Sequence, residues 1–211
     1  KITLAGELPA YGFVPDGTAN YKSEKVSWAG MREADREAAA IKLIGEAGYG
    51  PKKPLTVKLA YNTSENHKRI AIAIAAMWKK LGVSVELVNT ELKVHYANLR
   101  QGDFEIGRAG WIGDYNDAQS FLFLNQTSTR QQNFSKFSNA DYDRLMDEAS
   151  ITNEPDKRAR LLEQAEAVLL KEMPVLPLYF YVSKNLVSTR VKGWQDNPFD
   201  VIYASNLSLA K

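Results

Sequence analysis

The stretch Gly107-Arg108-Ala109-Gly110-Trp111-Ile112-Gly113-Asp114-Tyr115-Asn116-Asp117 puts a guanidinium, an indole and a carboxylate within seven residues. Such a set suits a small molecule with a cationic and an anionic end. A guanidinium fork matches a carboxylate, a side-chain carboxylate matches an ammonium, and an aromatic plate borders what lies between. Arg108 lies in an otherwise apolar run, and a buried arginine needs a partner, so an anion is expected close by. That anion is either a ligand or Asp103 or Glu105. Glu105 is oddly spaced from Arg108, which on a strand turns the two side chains to opposite faces. Asp114 has two equal readings, a ligand ammonium or an internal pair with Arg108. Asp117 precedes Ala118 to Phe121 and reads as a helix cap. Trp111 either fills the core, the commoner use of a strand tryptophan, or stacks on a ligand.

Other chemistries find little support. The chain has no cysteine and two histidines, His67 and His95, on separate helices without metal-ligand spacing, so no metal is expected. His95 reads as a solvated helix residue. No nucleophile elbow, phosphate loop or dinucleotide fingerprint occurs. Neither a catalytic residue nor a cofactor is therefore expected. The enzymatic alternative is a carboxylate-based hydrolase using Asp114 and Asp117, which lacks a nucleophile–base pair. The 211 residues are 45% hydrophobic and 25% charged, with a net charge of +2. A sizeable core can form, and the dispersed Lys and Arg argue against nucleic acid. No apolar run reaches the length of a membrane span. The lead-in from Lys1 to Gly17 carries Gly6, Pro9, Gly12 and Pro15 without a period. It reads as a cut end, of a mature chain or of a fragment.

The elements that must position these residues follow from periodicity. Met31 to Ala47 reads as a helix, with Ala34, Ala38, Ile41 and Ile44 on one face and Gly48 as its left-handed stop. Leu55 to Tyr61 alternates as a strand. Thr63 or Ser64 caps a helix burying Ile70, Ala71, Ile74, Trp78 and Leu81. Val83 to Leu87 is a second strand, Glu91 to Arg100 a short helix closed by Gly102, and Phe104 to Trp111 a third strand. Two strand–helix–strand units in succession imply parallel strands with right-handed crossovers. Ligands of open α/β sheets bind beyond the carboxyl ends of strands. His67 and Asp114 should therefore share one edge. Asn139 caps a further helix, Pro155 begins another, and Val175 to Val182 is an edge or bulged strand because of Pro177.

On these residues the chain resembles the C-terminal part of bacterial periplasmic oligopeptide-binding proteins, of the peptide/nickel class that serves ABC importers. The resemblance is carried by Tyr61-Asn62-Thr63-Ser64 with His67-Lys68, Trp78-Lys79-Lys80 and Gly82-Val83 with Leu87-Val88-Asn89. It continues through Arg108-Ala109-Gly110-Trp111, Asp114-Tyr115-Asn116, Ser120-Phe121-Leu122, Tyr179-Phe180-Tyr181-Val182 and Asn206-Leu207. It implies an α/β fold: one lobe of a type II, cluster C periplasmic-binding-protein fold, a mixed sheet with a parallel βαβαβ core flanked by helices. It implies a periplasmic substrate-binding component that holds short peptides in extended form and delivers them to a membrane ABC permease. Related receptors for murein peptide, nickel, haem or oligosaccharide are the alternative.

By the same resemblance, Asp114 holds the peptide ammonium and Arg108 with His67 neutralises its carboxylate. Gly110 and Ile112 make strand-like backbone bonds, Trp111 borders a side-chain pocket, and Tyr181 lies near the amino end. The chain departs from the family pattern at Leu99, where an arginine stands ahead of the segment matching Arg100-Gln101-Gly102; recognition of one peptide length should differ. Residues 1–182 correspond to the C-terminal ligand-binding lobe, with 1–30 as an irregular lead-in. Residues 183–211 correspond to a tail that in the family returns to a first lobe, missing here. Such a tail would fold back, self-associate with another copy or be weakly ordered.

Overall fold

The computed structural model describes residues 2–3, 6–197 and 200–210. Its centre is a parallel sheet of β2 (Leu55–Asn62), β3 (Val83–Thr90) and β4 (Ile106–Gly107), in the order β3-β2-β4. The register pairs Leu55 with Val83 through to Asn62 with Thr90, and Leu59-Ala60 with Ile106-Gly107. Helix α2 (Glu65–Lys80) joins β2 to β3, and α3 (Leu92–Gln101) joins β3 to β4. The two crossovers run in opposite directions across the sheet. Right-handed connections then put α2 and α3 on opposite faces. Preceding these, β1 (Leu8–Pro9) pairs antiparallel with β5 (Tyr179–Phe180), and α1 (Glu33–Glu46) stands between β1 and β2 in the chain.

Local chemistry explains the boundaries. Ser64 Oγ accepts the His67 N–H at 3.5 Å and caps α2. Glu91 Oε2 accepts the Lys93 N–H at 2.8 Å and caps α3, which Gly102 closes at φ 80. The Asn139 side chain accepts two N–H groups at the start of α5 (Ala140–Ile151). Pro155 is the first residue of α6 (Pro155–Glu172), where its missing N–H costs nothing.

Two apolar clusters hold these parts. Leu59, Tyr61 and Ala71 pack with Ile74, Val85, Leu87 and Ile106 between sheet and helix. The larger cluster joins α5 and α6 to the short helix α4 (Gln119–Leu122) through Tyr142, Leu145, Met146, Leu162 and Leu169, and takes in Val14 from the lead-in. Glu166, fully buried on α6, binds that lead-in. Its carboxylate accepts from Phe13 N (2.7 Å), Val14 N (2.8 Å), Glu24 N (2.9 Å) and the Tyr21 hydroxyl (2.6 Å). Burial pushes the Glu166 carboxyl above the ordinary carboxylate range, against the pull of these four donors.

Several sequence expectations are corrected. The third strand, expected over 104–111, pairs only at Ile106–Gly107. The Arg108 N–H still donates to Ala60 O at 2.8 Å, but the run after it has no neighbouring strand. Helix α1 buries none of its residues: Ile41 is 53% and Leu43 64% exposed. An apolar stripe predicts a helix, not the presence of something to cover it. Trp78 is half-buried rather than core. His95 is buried, not solvated, because Arg108 O hydrogen-bonds its ring at 2.7 Å. The run 175–182 yields only the two-residue β5. Within the tail, β6 (Val191–Lys192) and β7 (Ser208–Leu209) pair antiparallel.

Replacing Glu166 with Gln puts an amide where the buried Oε oxygens accept four donors. Denaturant unfolding should show a loss of about 2–3 kcal/mol; an unchanged midpoint would contradict the role given to this carboxylate.

Candidate functional site

The carboxyl ends of β2 and β4, with the first turn of α2, form one edge. Asn62 is buried at the end of β2, and its backbone opposes the fall in the His67 pKa. Burial lowers the His67 pKa from its ordinary value near 6.5. The positive charge of Arg108 lowers it further, which puts that guanidinium within electrostatic reach of the ring. No partner reaches His67 Nδ1, a buried atom, among the described residues.

Arg108 does not find the anion expected for it. Its guanidinium donates to the Tyr181 hydroxyl, and it forms no ion pair among the described residues. Glu105 is engaged elsewhere, its carboxylate accepting the Lys58 N–H at 2.6 Å. Tyr181, which the resemblance places near the amino end of a ligand, is thus the hydrogen-bond partner of this cation. Its ring meets Tyr179 edge-on at 5.2 Å. Burial first, then the hydrogen bond from Tyr179, pushes the Tyr181 phenol up to about 12, with Arg108 opposing. Gly110 lies under this pair. A Cβ there would come within 3.2 Å of the guanidinium and 3.4 Å of the Tyr181 ring.

Beyond Arg108 the chain enters neither helix nor strand until α4. Among the described residues, no main-chain N–H or C=O of residues 109–113 has a hydrogen-bond partner. Ile112 is 79% exposed. Trp111 is anchored internally and still partly open. Its indole N–H donates to Ser120 O at 2.7 Å and its ring packs edge-on against Phe123 at 5.7 Å, yet it stays 36% exposed.

Asp114 follows, its backbone N–H held by Ser120 Oγ at 2.7 Å. Its carboxylate is exposed and forms no ion pair among the described residues, so the internal pair with Arg108 is absent. Asp117 is fully occupied. It accepts the Gln119 N–H at 2.8 Å, as a cap should, and clamps Arg158 bidentately at 2.6 and 2.9 Å. A catalytic pair with Asp114 would have to break that clamp. No group of three or more metal-ligating side chains occurs among the described residues.

Leu99 is buried beneath β4, and a Cβ on Gly107 would meet its Cδ2 at 2.4 Å. An apolar side chain therefore floors the strand where the resemblance expects an arginine. Three contributors were missed in the sequence. His95 and Ser120 are polar residues whose burial is decided by distant partners, and Asn62 ends a strand as loop asparagines do. Two signals were available, since Asn62 lies in Tyr61-Asn62-Thr63-Ser64 and Ser120 in Ser120-Phe121-Leu122, both of which carry the resemblance.

A parallel βαβαβ sheet flanked by helices is the architecture of one lobe of a type II periplasmic-binding-protein fold. Residues 2–133 match the family described as Bacterial extracellular solute-binding proteins, family 5 Middle, and the chain belongs to that family. The whole chain is 42% identical to the periplasmic murein peptide-binding protein MppA of Escherichia coli and 38% to the periplasmic oligopeptide-binding protein OppA of the same organism. It spans 40% and 39% of their lengths. Its fold superposes on the unliganded open form of MppA with a TM-score of 0.87, covering 97% of this chain and 40% of that one. Haemophilus influenzae OppA in complex with the peptide RPPGFSPFR gives 0.84 at 35% identity, over 98% and 41%.

His67 should titrate below its ordinary pKa near 6.5, and Arg108→Ala should move it back toward that value. The sign follows: a depressed histidine pKa contributes stability present above the unfolded value and lost as pH falls through the folded one. Ring-carbon proton shifts against pH read this directly; an unchanged His67 titration in the Arg108 variant would place the two groups out of reach.

Proposed function

We propose that this chain is the C-terminal ligand-binding lobe of the substrate-binding component of an ABC importer. It holds short peptides in extended form at the periplasmic face of the membrane. The observation that carries the reading is a cation and an anion, neither ion-paired among the described residues, flanking a main-chain segment with no hydrogen-bond partner. Arg108 with His67 receives the peptide carboxylate and Asp114 the ammonium. The backbone of Gly110 and Ile112 pairs with the peptide as an added strand, and Trp111 borders a side chain. The six steps from Arg108 to Asp114 span at most about 20 Å, long enough for a short peptide. Tyr181 OH holds the guanidinium until a carboxylate takes its place.

The names of the relatives support peptides as the solute. A murein peptide is a second reading, favoured by the 42% identity to MppA. It too presents free ammonium and carboxylate ends, so the same anchors serve. Leu99 leaves one cation fewer at the carboxylate end, and the preferred peptide length shifts accordingly. Residues 183–211 return to a first lobe, which closes over the ligand and excludes water. Without it the anchors work in high dielectric, and the isolated lobe binds weakly.

Titration of the isotopically labelled chain with trialanine should shift residues 108–114 and His67. Acetylating the peptide or changing Asp114 to Asn should each weaken binding about tenfold; amidating the peptide or changing Arg108 to Ala should do the same at the other end. Equal binding of free and acetylated peptide would remove Asp114 from its role.

A further inference from the structure

Ser120 is fully buried, the second residue of α4, and not itself on the open edge. Three bonds meet on it. Its Oγ accepts the Asp114 N–H at 2.7 Å, its carbonyl accepts the Trp111 indole N–H at 2.7 Å, and its own N–H donates to Asp117 O at 3.1 Å. The next residue, Phe121, lies against Gly113 so closely that a Cβ there would fall 2.6 Å from its ring. Between Arg108 and Asp114 the main chain has no other anchor among the described residues.

We infer that Ser120 is a positioning residue for peptide recognition, its hydroxyl fixing where the Asp114 carboxylate stands relative to the Trp111 plate. The inference rests on the peptide reading above. An exposed carboxylate gains little from an ammonium if it must first be ordered. Here the backbone of Asp114 is tied to the buried Ser120 of α4, so the main-chain part of that ordering is made before a ligand arrives. Loss of the hydroxyl leaves the Asp114 N–H without its acceptor and lets the loop drift, while Arg108, tied through its carbonyl to His95 on α3, keeps its place. The effect therefore falls on one end of the ligand only.

The test titrates the labelled 211-residue chain with trialanine, its N-acetyl form and its amide, in wild type, Ser120→Ala, Asp114→Asn and Val168→Ala. Ser120→Ala should cut the free-over-acetylated preference roughly three- to tenfold and leave the free-over-amidated preference unchanged within about twofold. Val168→Ala, which thins the same cluster away from the edge, should lower the unfolding midpoint and leave both preferences intact. A wild-type acetylation preference in Ser120→Ala overturns the inference, as does an equal fall in both preferences, which would mark Ser120 as merely structural. If wild type shows no preference, or Asp114→Asn retains it, the peptide reading itself fails and the inference falls with it.

Discussion

Glu166 gathers four donors from the lead-in onto the middle of α6, at sequence separations up to 153 residues. A charge so deeply buried is tolerable only because its lone pairs are filled. Three of its partners are backbone N–H groups, so these bonds do not depend on the side chains at 13, 14 and 24. Gly12 beside them is fixed by space, since a Cβ would strike Glu24 O at 2.2 Å. The lead-in thus closes over the α5–α6 pair and supplies Val14 to its core. Asn116 completes the link by accepting the Ala19 N–H at 2.9 Å, so the loop that bears Asp114 is tied to the same lead-in.

The chain handles its charges in two distinct ways. Glu166 is satisfied by hydrogen bonds within the molecule, and Asp117 and Arg158 neutralise each other. Arg108 and Asp114 form no ion pair among the described residues, and both follow the end of β4 in the chain. Parallel pairing fixes that end: β2 sets the level of β4 through Ala60 and Gly107, and the chain leaves the ladder one residue later. The sheet ends where the ligand edge begins.

Much of the scaffold was legible in the sequence. Period-two and period-3.6 patterns separated by Gly48, Gly82 and Gly102 located β2, α2, β3 and α3, and Ser64, Asn139 and Pro155 marked helix starts. These are local effects, decided within a few residues. The length of β4 was not legible, because an extended run becomes a strand only where a neighbour exists. Nor was the exposure of α1, for the same reason. Of the site, the opposed charges at 108 and 114 could be read directly. The Arg108–Tyr181 contact could not, since it joins segments 73 residues apart. Glu166 looked like any glutamate on a helix, and His95 like a solvated one; long-range donors and acceptors alone decided their burial.

The solitary charges of Arg108 and Asp114 also bear on how such a lobe changes over generations. A clamp such as Asp117–Arg158 cannot drift without cost to folding. Arg108 and Asp114 neutralise nothing internal, so the fold gives them no protection. On the proposed function, only the solute retains them. A lineage that turned to a different solute could exchange these anchors while Glu166 and the helix caps stayed fixed, and selectivity would be rewritten at constant stability.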